Sequence, residues 1–494
     1  MNVSIVRYVV ARLLQIEAAL MIFPLAVSLL YRESWNYLFS FLSVMIFLAV
    51  LGQLLSLKKP ENKRMTAREG FVIVAISWIL FSFFGSLPFV INSDIPSFVD
   101  AFFETSSGFT TTGASILDDV ESLSHSSLFW RSFTHLVGGM GILVFALAVL
   151  PQIDSQSVNI MKAETPGPTF GKLVSKLSSS ARILYLIYLS MTAIVTILLW
   201  IGGMDLFDSL LHAFGVAGTG GFGIKNGSIT PYENAYVEWV IGIGMLAFGI
   251  NFNMIYLLLI GNIKQVFKSE ELKWYFLIVL GAVGLICINL IGYYDSISKL
   301  IRDVFFTVSS VITTTGFTTA DFGSWPLFSQ MVILLLMFFG ACAGSTAGGL
   351  KISRVVVYVK ILVAEIKRVA QPNRIVVVQY DQKPLGTNTK HGVANYLIIY
   401  SVVFAAVFML ISLDAPDFLS AFSAVAATFN NIGPALGAVG PAYSYSKLHD
   451  YSKILLSFTM LAGRLEIFPI LILFAPRTWE KIEIRGVDSA ANRA

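Results

Sequence analysis

Residues 108–115 read GFTTTGAS, and residues 311–319 read VITTTGFTT. The same threonine word, closed by a glycine, stands twice in a chain of 494 residues that is 56% hydrophobic and only 13% charged, with a mean hydropathy of +0.75. Soluble domains carry about 25% charged residues, so this chain is built for lipid. A hydroxyl-and-glycine run has no place in a lipid-facing helix, because irregular backbone at membrane depth must be buried in protein or line a wet cavity. Each copy follows an apolar segment too short to cross a bilayer: SFVDAFFETSSGF at 97–109 and SKLIRDVFFTVSSVI at 298–312. Half-helices that enter the membrane and turn back fit that length.

Two more such segments exist. MDLFDSLLHAFGVA (204–217) leads into AGTGGFG (217–223), and PDFLSAFSAVAATF (416–429) leads into FNNIGPALG (429–437). Aligned without gaps on Gly113, Gly221, Gly316 and Gly433, the copies recur about every hundred residues. Thirteen positions earlier stand Asp100, Asp208, Asp303 and Ser420, all residue types that cap helix N-termini, and they read better as caps than as proton carriers. Two positions before the glycines stand Thr111, Thr219, Thr314 and Asn431; one before stand Thr112, Gly220, Thr315 and Ile432. The chain therefore reads as a four-fold internal repeat of span, half-helix, glycine turn and span.

A membrane helix needs about 20 mostly apolar residues. Windows near 8–31, 35–56, 71–92, 129–150, 182–203, 238–260, 274–293, 326–363 (interrupted), 392–413 and 452–475 predict ten spans. The run from Tyr8 to Tyr31 is long and lacks a small-residue cleavage site, so it reads as a retained helix and not a removable signal. Basic residues follow the even-numbered spans: Lys58, Lys59, Lys63, Arg64 and Arg68; Lys162, Lys172, Lys176 and Arg182; Lys264, Lys268 and Lys273; Lys360, Lys367, Arg368 and Arg374; Arg477, Lys481 and Arg485. The opposite loops hold Asp94, Asp118, Asp119, Glu121, Glu233 and Asp321. Cationic loops stay in the cytoplasm, which places both termini inside. The expected fold is an all-α polytopic membrane protein, its last eight spans arranged as four span–half-helix–span repeats around a pseudo-four-fold pore. The expected units are 1–69 (two N-terminal spans), 70–180, 181–270, 271–388 and 389–494 (one pore repeat each).

Four half-helices entering from one side aim the partial negative charge of their C-termini at one point. The glycine-containing stretches that follow can turn backbone carbonyls toward the axis, and a ring of carbonyls replacing a hydration shell selects potassium. The candidate ion-binding residues are Thr111, Thr112 and Gly113; Thr219, Gly220 and Gly221; Thr314, Thr315 and Gly316; Asn431, Ile432 and Gly433. No carboxylate lies within 109–116, 217–223, 311–319 or 428–437. A divalent-cation site would want acidic ligands, so a monovalent, weakly hydrated cation fits better.

The eighth span is broken by ACAGSTAGG at 341–349. Small residues often mark close helix packing, but so many in succession, followed by Lys351, read as an unwound loop below the ion-binding segments that obstructs the pore. Gly344, Ser345, Thr346, Gly348 and Gly349 are its candidate gating residues. Arg464, about twelve residues into the last span, is too deep to snorkel, and burying it costs a few kcal/mol unless compensated. It reads either as a structural partner of Glu466 or of helix-end carbonyls, or as a cation facing the cavity and the 341–349 loop. Lys351 either assists it or begins the cytoplasmic side.

TTTGAS, GTGGFG, TTTGFT and NNIGPA in four span–half-helix–span units resemble the Trk/Ktr/HKT superfamily of potassium transporters. The two extra N-terminal spans, with HLVGGMG (135–141), GACAGSTAGGLK (340–351) and AGRLEIF (462–468), resemble its bacterial Trk-type branch. The resemblance covers nearly the whole chain. It implies a carbonyl filter, a homodimer with one pore per subunit, and a cytosolic nucleotide-binding regulatory subunit, TrkA in that family. It also implies residence in the bacterial cytoplasmic (inner) membrane. All four glycines are present, which by the same resemblance favours potassium over relatives with serine in the first copy.

Other chemistry finds little support. Cys287 and Cys342 are far apart and offer neither a disulfide framework nor metal-ligand spacing. The histidines, His135 and His212 among them, share no spacing, and Gly138, Gly139 and Gly141 read as helix contact, with no strand before them to make a phosphate loop. No HExxH helix, intramembrane aspartate pair, serine–histidine dyad or Walker motif occurs, which argues against an enzyme. The basic stretch KILVAEIKRVAQPNR (360–374) can dock a cytosolic subunit or anionic lipid. The leading expectation is therefore potassium-selective uptake, with K⁺ as the bound and carried ion and no partner among nucleic acids. Proton- or sodium-coupled symport ranks below it because no unpaired acid is evident at mid-membrane.

Overall fold

The structure is a computed structural model that describes residues 1–61, 65–141, 177–373 and 376–479. It is built of helices, and the strand pairing among the described residues is the hairpin of Gln379–Tyr380 with Lys383–Pro384. Six helices are long and apolar enough to cross a membrane: Val3–Leu30, Trp35–Ser56, Ala67–Ile91, Ala181–Ile201, Glu270–Asn289 and Thr387–Ile411. Ala235–Phe248 and Phe252–Leu259 together are also long and apolar enough, as a pair bent at the break between them, and bring the count to seven when taken as one span. Their apolar outer faces stay exposed, as at Leu30, Ile288 and Val402, which is the surface lipid would cover. The expected 129–150 span begins as His125–Gly139, and its part beyond residue 141 lies outside the described residues. So do Lys63, Arg64, Lys162, Lys172, Lys176, Arg374, Lys481 and Arg485, on which the orientation partly rests.

Two windows expected to be continuous are broken. The sixth bends by 98° between Phe248 and Phe252. The backbone groups freed there are taken up by the 341–349 segment: Cys342 N–H donates to Gly249 O (3.1 Å) and Phe252 N–H to Gly344 O (3.1 Å). The Asn251 side chain then caps the new helix by accepting from Asn253 N–H (2.8 Å). The tenth window divides into Asp450–Arg464 and Phe468–Phe474. Glu466 and Ile467 between them have φ of +57° and +68°, a conformation that is a true outlier for a β-branched residue. The eighth is interrupted as expected, with Leu327–Leu336 and Ile352–Ala370 flanking the small-residue run.

The four short apolar segments are helices: Phe98–Phe109, Leu206–Gly218, Ile297–Ile312 and Phe418–Phe429. Their N-caps are Ser97, Asp205, Ser296 and Asp417, which corrects the expectation of Asp100, Asp208, Asp303 and Ser420. Asp100, Asp208 and Ser420 fall in the first turn, where Ser97 Oγ and Asp417 Oδ1 accept from the N–H groups of Asp100 (3.3 Å) and Ser420 (2.9 Å). Asp303 lies a further turn along, because the third helix starts earlier relative to its glycine. Each short helix packs between the helices that precede and follow it in the chain. Cross-contacts then join neighbours: His125–Gly139 packs on the second short helix, Ala235–Phe248 on the third, and Asp450–Arg464 on the first. Val3–Leu20 and Trp35–Ser56 pair with each other and lean on Ala67–Ile91.

Candidate functional site

The four short helices end in one way. One or two residues past each terminus the chain turns left-handed: Thr111, Thr219, Thr314 and Asn431 have φ of +54°, +54°, +56° and +58°. The next N–H reaches back five residues, from Thr112 to Ser107 O (2.8 Å), Gly220 to Gly215 O (2.9 Å), Thr315 to Ser310 O (2.8 Å) and Ile432 to Ala427 O (2.8 Å). This is the Schellman closure of a helix C-terminus. It is made here by threonine and asparagine, which pay the steric cost of positive φ that glycine avoids. The backbone then leaves in an extended course through a glycine of positive φ, from +67° at Gly221 to +97° at Gly433.

These glycines face one another in a closed circuit. A methyl built on Gly113 would run into Gly220 O, one on Gly221 into Thr315 O, one on Gly316 into Ile432 O, and one on Gly433 into Thr112 O. Each glycine thus meets the carbonyl of the residue just before the next glycine, and the fourth returns to the first. The four glycines and the residue before each, eight of the twelve residues named from the sequence, therefore meet in this circuit, and Gly113, Gly221, Gly316 and Gly433 all line a cavity of about 400 Å³. Asp118, Arg131, Lys225 and Lys447 also line that cavity.

What steadies each segment differs. In the first, the Thr110 and Thr112 hydroxyls share a hydrogen bond of 2.7 Å; in the third, Thr313 and Thr315 repeat it at 2.8 Å. In the fourth, Asn430 Nδ2 donates to Ala426 O (2.8 Å) and its Oδ1 accepts from the Tyr400 hydroxyl (3.0 Å). Asn431 Nδ2 donates to Thr112 Oγ1 and to Met460 O, both at 2.9 Å. In the second, the matching positions are Gly218 and Gly220, and the space a side chain at Gly220 would fill holds the His135 ring. The sequence pattern gave His135 no role, because the histidines share no spacing. His135 is buried and hydrogen-bonded, and the glycine at 220 was the signal that another group must occupy that volume.

On the side of the circuit away from the cavity lies the 341–350 segment. Gly348 N–H donates to Thr314 Oγ1 (2.7 Å), and a methyl on Gly348 would press on Asn430 O and Asn431 Cβ. Gly340 N–H donates to Leu350 O (2.7 Å), which closes the segment into a loop. Ser345 Oγ donates to Cys342 O (2.7 Å), while Gly344 and Gly349 have φ of +74° and +66°. The buried Lys351 ammonium donates to Ala347 O and to Gly348 O (3.1 Å). Arg464 donates to Thr346 O (2.6 Å) and to the Gly138 and Gly139 carbonyls (2.7 Å each). Of its alternative readings, the Glu466 partnership does not form: Glu466 pairs with Arg354 at 2.5 Å. The carbonyl and loop contacts do form, together. Glu271, unremarked in the sequence, is buried and accepts from Ala343 N–H (2.7 Å) and Ser353 N–H (3.1 Å), one at each end of the loop.

The chemistry on offer is that of carbonyl oxygens and helix C-termini in a setting without clustered acids. Among the described residues no group of three or more His, Cys, Asp or Glu side chains stands together. Such a site can strip and hold a monovalent cation and has no obvious means of making or breaking a bond. One acid was overlooked. Glu17 is buried midway along Val3–Leu30 beside Gly85, and neither carboxylate oxygen has a hydrogen-bond partner among the described residues. This corrects the expectation that no unpaired acid stands at mid-membrane; the signal was a lone glutamate in the apolar run LLQIEAAL.

Comparison with known proteins is consistent along the chain. The family model described as TrkH, cation transport protein, matches residues 39–481. The Trk system potassium uptake protein TrkH of Escherichia coli K12 is 34% identical over 486 residues, which is 97% of this chain and all of the relative. TrkG of the same organism is also 34% identical, over 97% of this chain and 99% of its own. The crystal structure of the potassium transporter TrkH from Vibrio parahaemolyticus superposes with a TM-score of 0.87 at 31% identity, covering 97% of this chain and 100% of that one.

Proposed function

This chain belongs to the TrkH family of cation transport proteins, is a Trk-type potassium transporter and not an enzyme, and we propose that it passes K⁺ inward through a filter of backbone carbonyls. The observation that carries the reading is the closed circuit of four glycines and four carbonyls at Thr112, Gly220, Thr315 and Ile432. Carbonyl dipoles replace the hydration shell of a weakly hydrated cation, and the four short helices add the negative ends of their dipoles. Movement inward gains about 2.3 kcal/mol per 100 mV of inside-negative potential, enough to sustain accumulation without ATP.

In this reading residues 70–180, 181–270, 271–388 and 389–494 are four pore repeats about a pseudo-four-fold axis, preceded by two spans in 1–69, making ten spans in all. Both termini face the cytoplasm of a bacterial inner membrane. The loop of Gly344, Ser345, Thr346, Gly348 and Gly349, with Lys351 and Arg464, is the gate. Its support is the loop's position against Thr314 and Asn430 and the Arg464 bonds that tie it to the first repeat. The relatives are named as parts of a Trk system, which fits a cytosolic TrkA-like regulatory subunit; the protein itself pairs as a homodimer. Helix Ile352–Ala370 runs from the gate to the basic stretch, and Lys360 bonds both Glu270 and Gln379 O (2.8 Å). The hairpin and that helix thus form one block through which a partner can pull on the loop.

Cation flux into proteoliposomes holding only this protein tests the reading, with K⁺, Rb⁺, Na⁺ and Li⁺ compared at one imposed voltage. Fast, voltage-following K⁺ and Rb⁺ entry with little Na⁺ or Li⁺ is expected; equal Na⁺ entry sinks it. A second reading, proton-coupled symport, has Glu17 in its favour. It predicts that a proton ionophore changes the K⁺ accumulation reached at fixed voltage and that E17Q abolishes that change.

A further inference from the structure

The second glycine segment presents a physical problem. GTGGFG (218–223) holds four glycines in six residues, the composition with the most backbone freedom to lose on ordering, and it lacks the hydroxyl pair that steadies the first and third. Its backbone nevertheless matches theirs, with φ of +54° at Thr219 and +67° at Gly221.

We infer that helix His125–Gly139 is a splint for this segment, and that Arg131, its counter-ion Glu104, and His135 are positioning residues for potassium selectivity. The inference rests on the carbonyl-filter reading above. Arg131 and His135 are one helical turn apart and so share a face. His135 Nδ1 lies 2.8 Å from Gly108 O, which can only accept, so the proton is on Nδ1; Nε2 then accepts from Phe222 N–H (3.3 Å). The ring fills the place beside Gly220 where threonine stands in the first and third segments. Arg131 donates to Gly223 O (2.8 Å), stacks over the Phe222 ring (3.5 Å to its centre) and pairs through Nε with Glu104 Oε1 (2.6 Å). Glu104 in turn accepts from Ser115 Oγ and Ile116 N–H, both at 2.9 Å.

Every bond of the pair beyond its own thus falls on residues two or three past Gly113 or one or two past Gly221. The ion pair closes the seam between the first two segments. Beside the glycines, the bonds named between the second and third segments and between the fourth and first are neutral: Ile229 N–H to Thr318 O at 3.2 Å, and Tyr445, whose N–H meets Ser115 O and whose hydroxyl meets Gly433 O, each at 2.9 Å; the ion pairs Arg302–Glu238 and Lys453–Asp100 at those contacts lie along the helices and away from the glycines. Stability alone does not call for an ion pair that is 3% and 1% exposed, since apolar residues of like volume often serve as well or better, whereas buried pairs can fix registry. The arrangement also balances charge: Arg131 lines the mouth cavity of a cation path, and Glu104 neutralises it.

The test is the Rb⁺/Na⁺ uptake ratio of the full chain in proteoliposomes at one voltage, for wild type, R131M, E104Q, the double variant, R131K and H135N. A selectivity ratio is read only from folded, conducting protein, so a role in folding alone leaves it unchanged. R131M and E104Q are expected to lower the ratio by about tenfold, a part of what breaking a buried pair costs. E104Q should also lower total flux, because an uncompensated cation remains at the mouth. The double variant should recover flux but not the ratio, and R131K and H135N should fall between. Ratios equal to wild type in the conducting variants, or a ratio restored in the double variant, overturn the inference. If R131M or E104Q fails to assemble, R131K and H135N decide it in the same way. A wild type without Rb⁺ preference overturns the filter reading and this inference with it; a selective wild type beside equally selective variants overturns the inference alone.

Discussion

The first and second glycine segments have nearly the same backbone and opposite means of holding it. Thr110 and Thr112 bind each other at 2.7 Å, so the first segment is braced by its own side chains. The second has glycine at both matching positions and borrows its brace from Arg131 and His135 of the neighbouring helix. The third repeats the first, and the fourth uses Asn430, Asn431 and Tyr400. An ion ringed by carbonyls needs only the backbone to be symmetric. Side chains behind that backbone are free to differ as long as the same φ values result.

Breaking the backbone itself should have the largest effect. G221A and G316A place a methyl where φ is +67° and +88° and where the Thr315 and Ile432 carbonyls already stand, so K⁺ uptake in cells dependent on this protein should fall to background. G220A meets the His135 ring instead of backbone. It should retain part of its uptake and gain some back when combined with H135A; equal loss in G220A and G221A would erase the distinction between backbone and borrowed brace.

On the side of the loop the contrast lies between the two halves of the circuit, since the 341–350 loop rests on the third and fourth segments and Arg464 ties it to Gly138 and Gly139. Charge-assisted hydrogen bonds contribute about 2 kcal/mol, so R464Q should raise partner-free K⁺ flux by about tenfold or more. T314V, which loses the single Gly348 bond, should raise it by about fivefold for about 1 kcal/mol. Flux unchanged in both variants would remove the loop as a gate.

Within the self-braced class, T112V should lower Tm more than T315V. Each loses its hydroxyl pair, for about 1 kcal/mol, but Thr112 Oγ1 also accepts from Asn431 Nδ2. Equal shifts would mean that the fourth segment gains nothing from the first.

The smallest effect is expected at the N-terminal end of the fourth short helix. The Ser420 N–H and hydroxyl hold the Asp417 carboxyl below the usual aspartate range. A lowered native pKa stabilises the fold above the ordinary aspartate pKa, and the contribution is lost as pH falls through the lowered one. D417A should cost about 1 kcal/mol at neutral pH, as N-cap losses do. The gap in Tm from wild type should close in acid, where a gap that stays constant would exclude the carboxylate as its source.

The four short helices and their glycine turns were legible because they combine two signals: apolar runs too short to span, and a repeated residue pattern in constant register. The small-residue run at 341–349 was legible for the same reason, since nine small residues do not make a lipid-facing helix. The break after Phe248 was not, because its hydrogen bonds are completed by Cys342 and Gly344, nearly a hundred residues away. Nor was the break at Glu466–Ile467, where local preference argues against positive φ and tertiary packing wins. Three caps were misplaced by one turn, since Ser97, Asp205 and Asp417 stand three residues before the aligned polar positions, and the third by two, since Ser296 stands seven before Asp303. The Arg131, Glu104 and Glu271 contacts escaped because each joins elements that only the folded ring brings together.

The central claim is that backbone carbonyls of the four segments hold the ion. Crystals grown in Rb⁺ and measured for anomalous scattering test it most directly. The account predicts anomalous peaks on the axis enclosed by the Thr112, Gly220, Thr315 and Ile432 carbonyls. Rb⁺ bound only at side-chain carboxylates such as Asp118 or Glu17, with the axis empty, would contradict it.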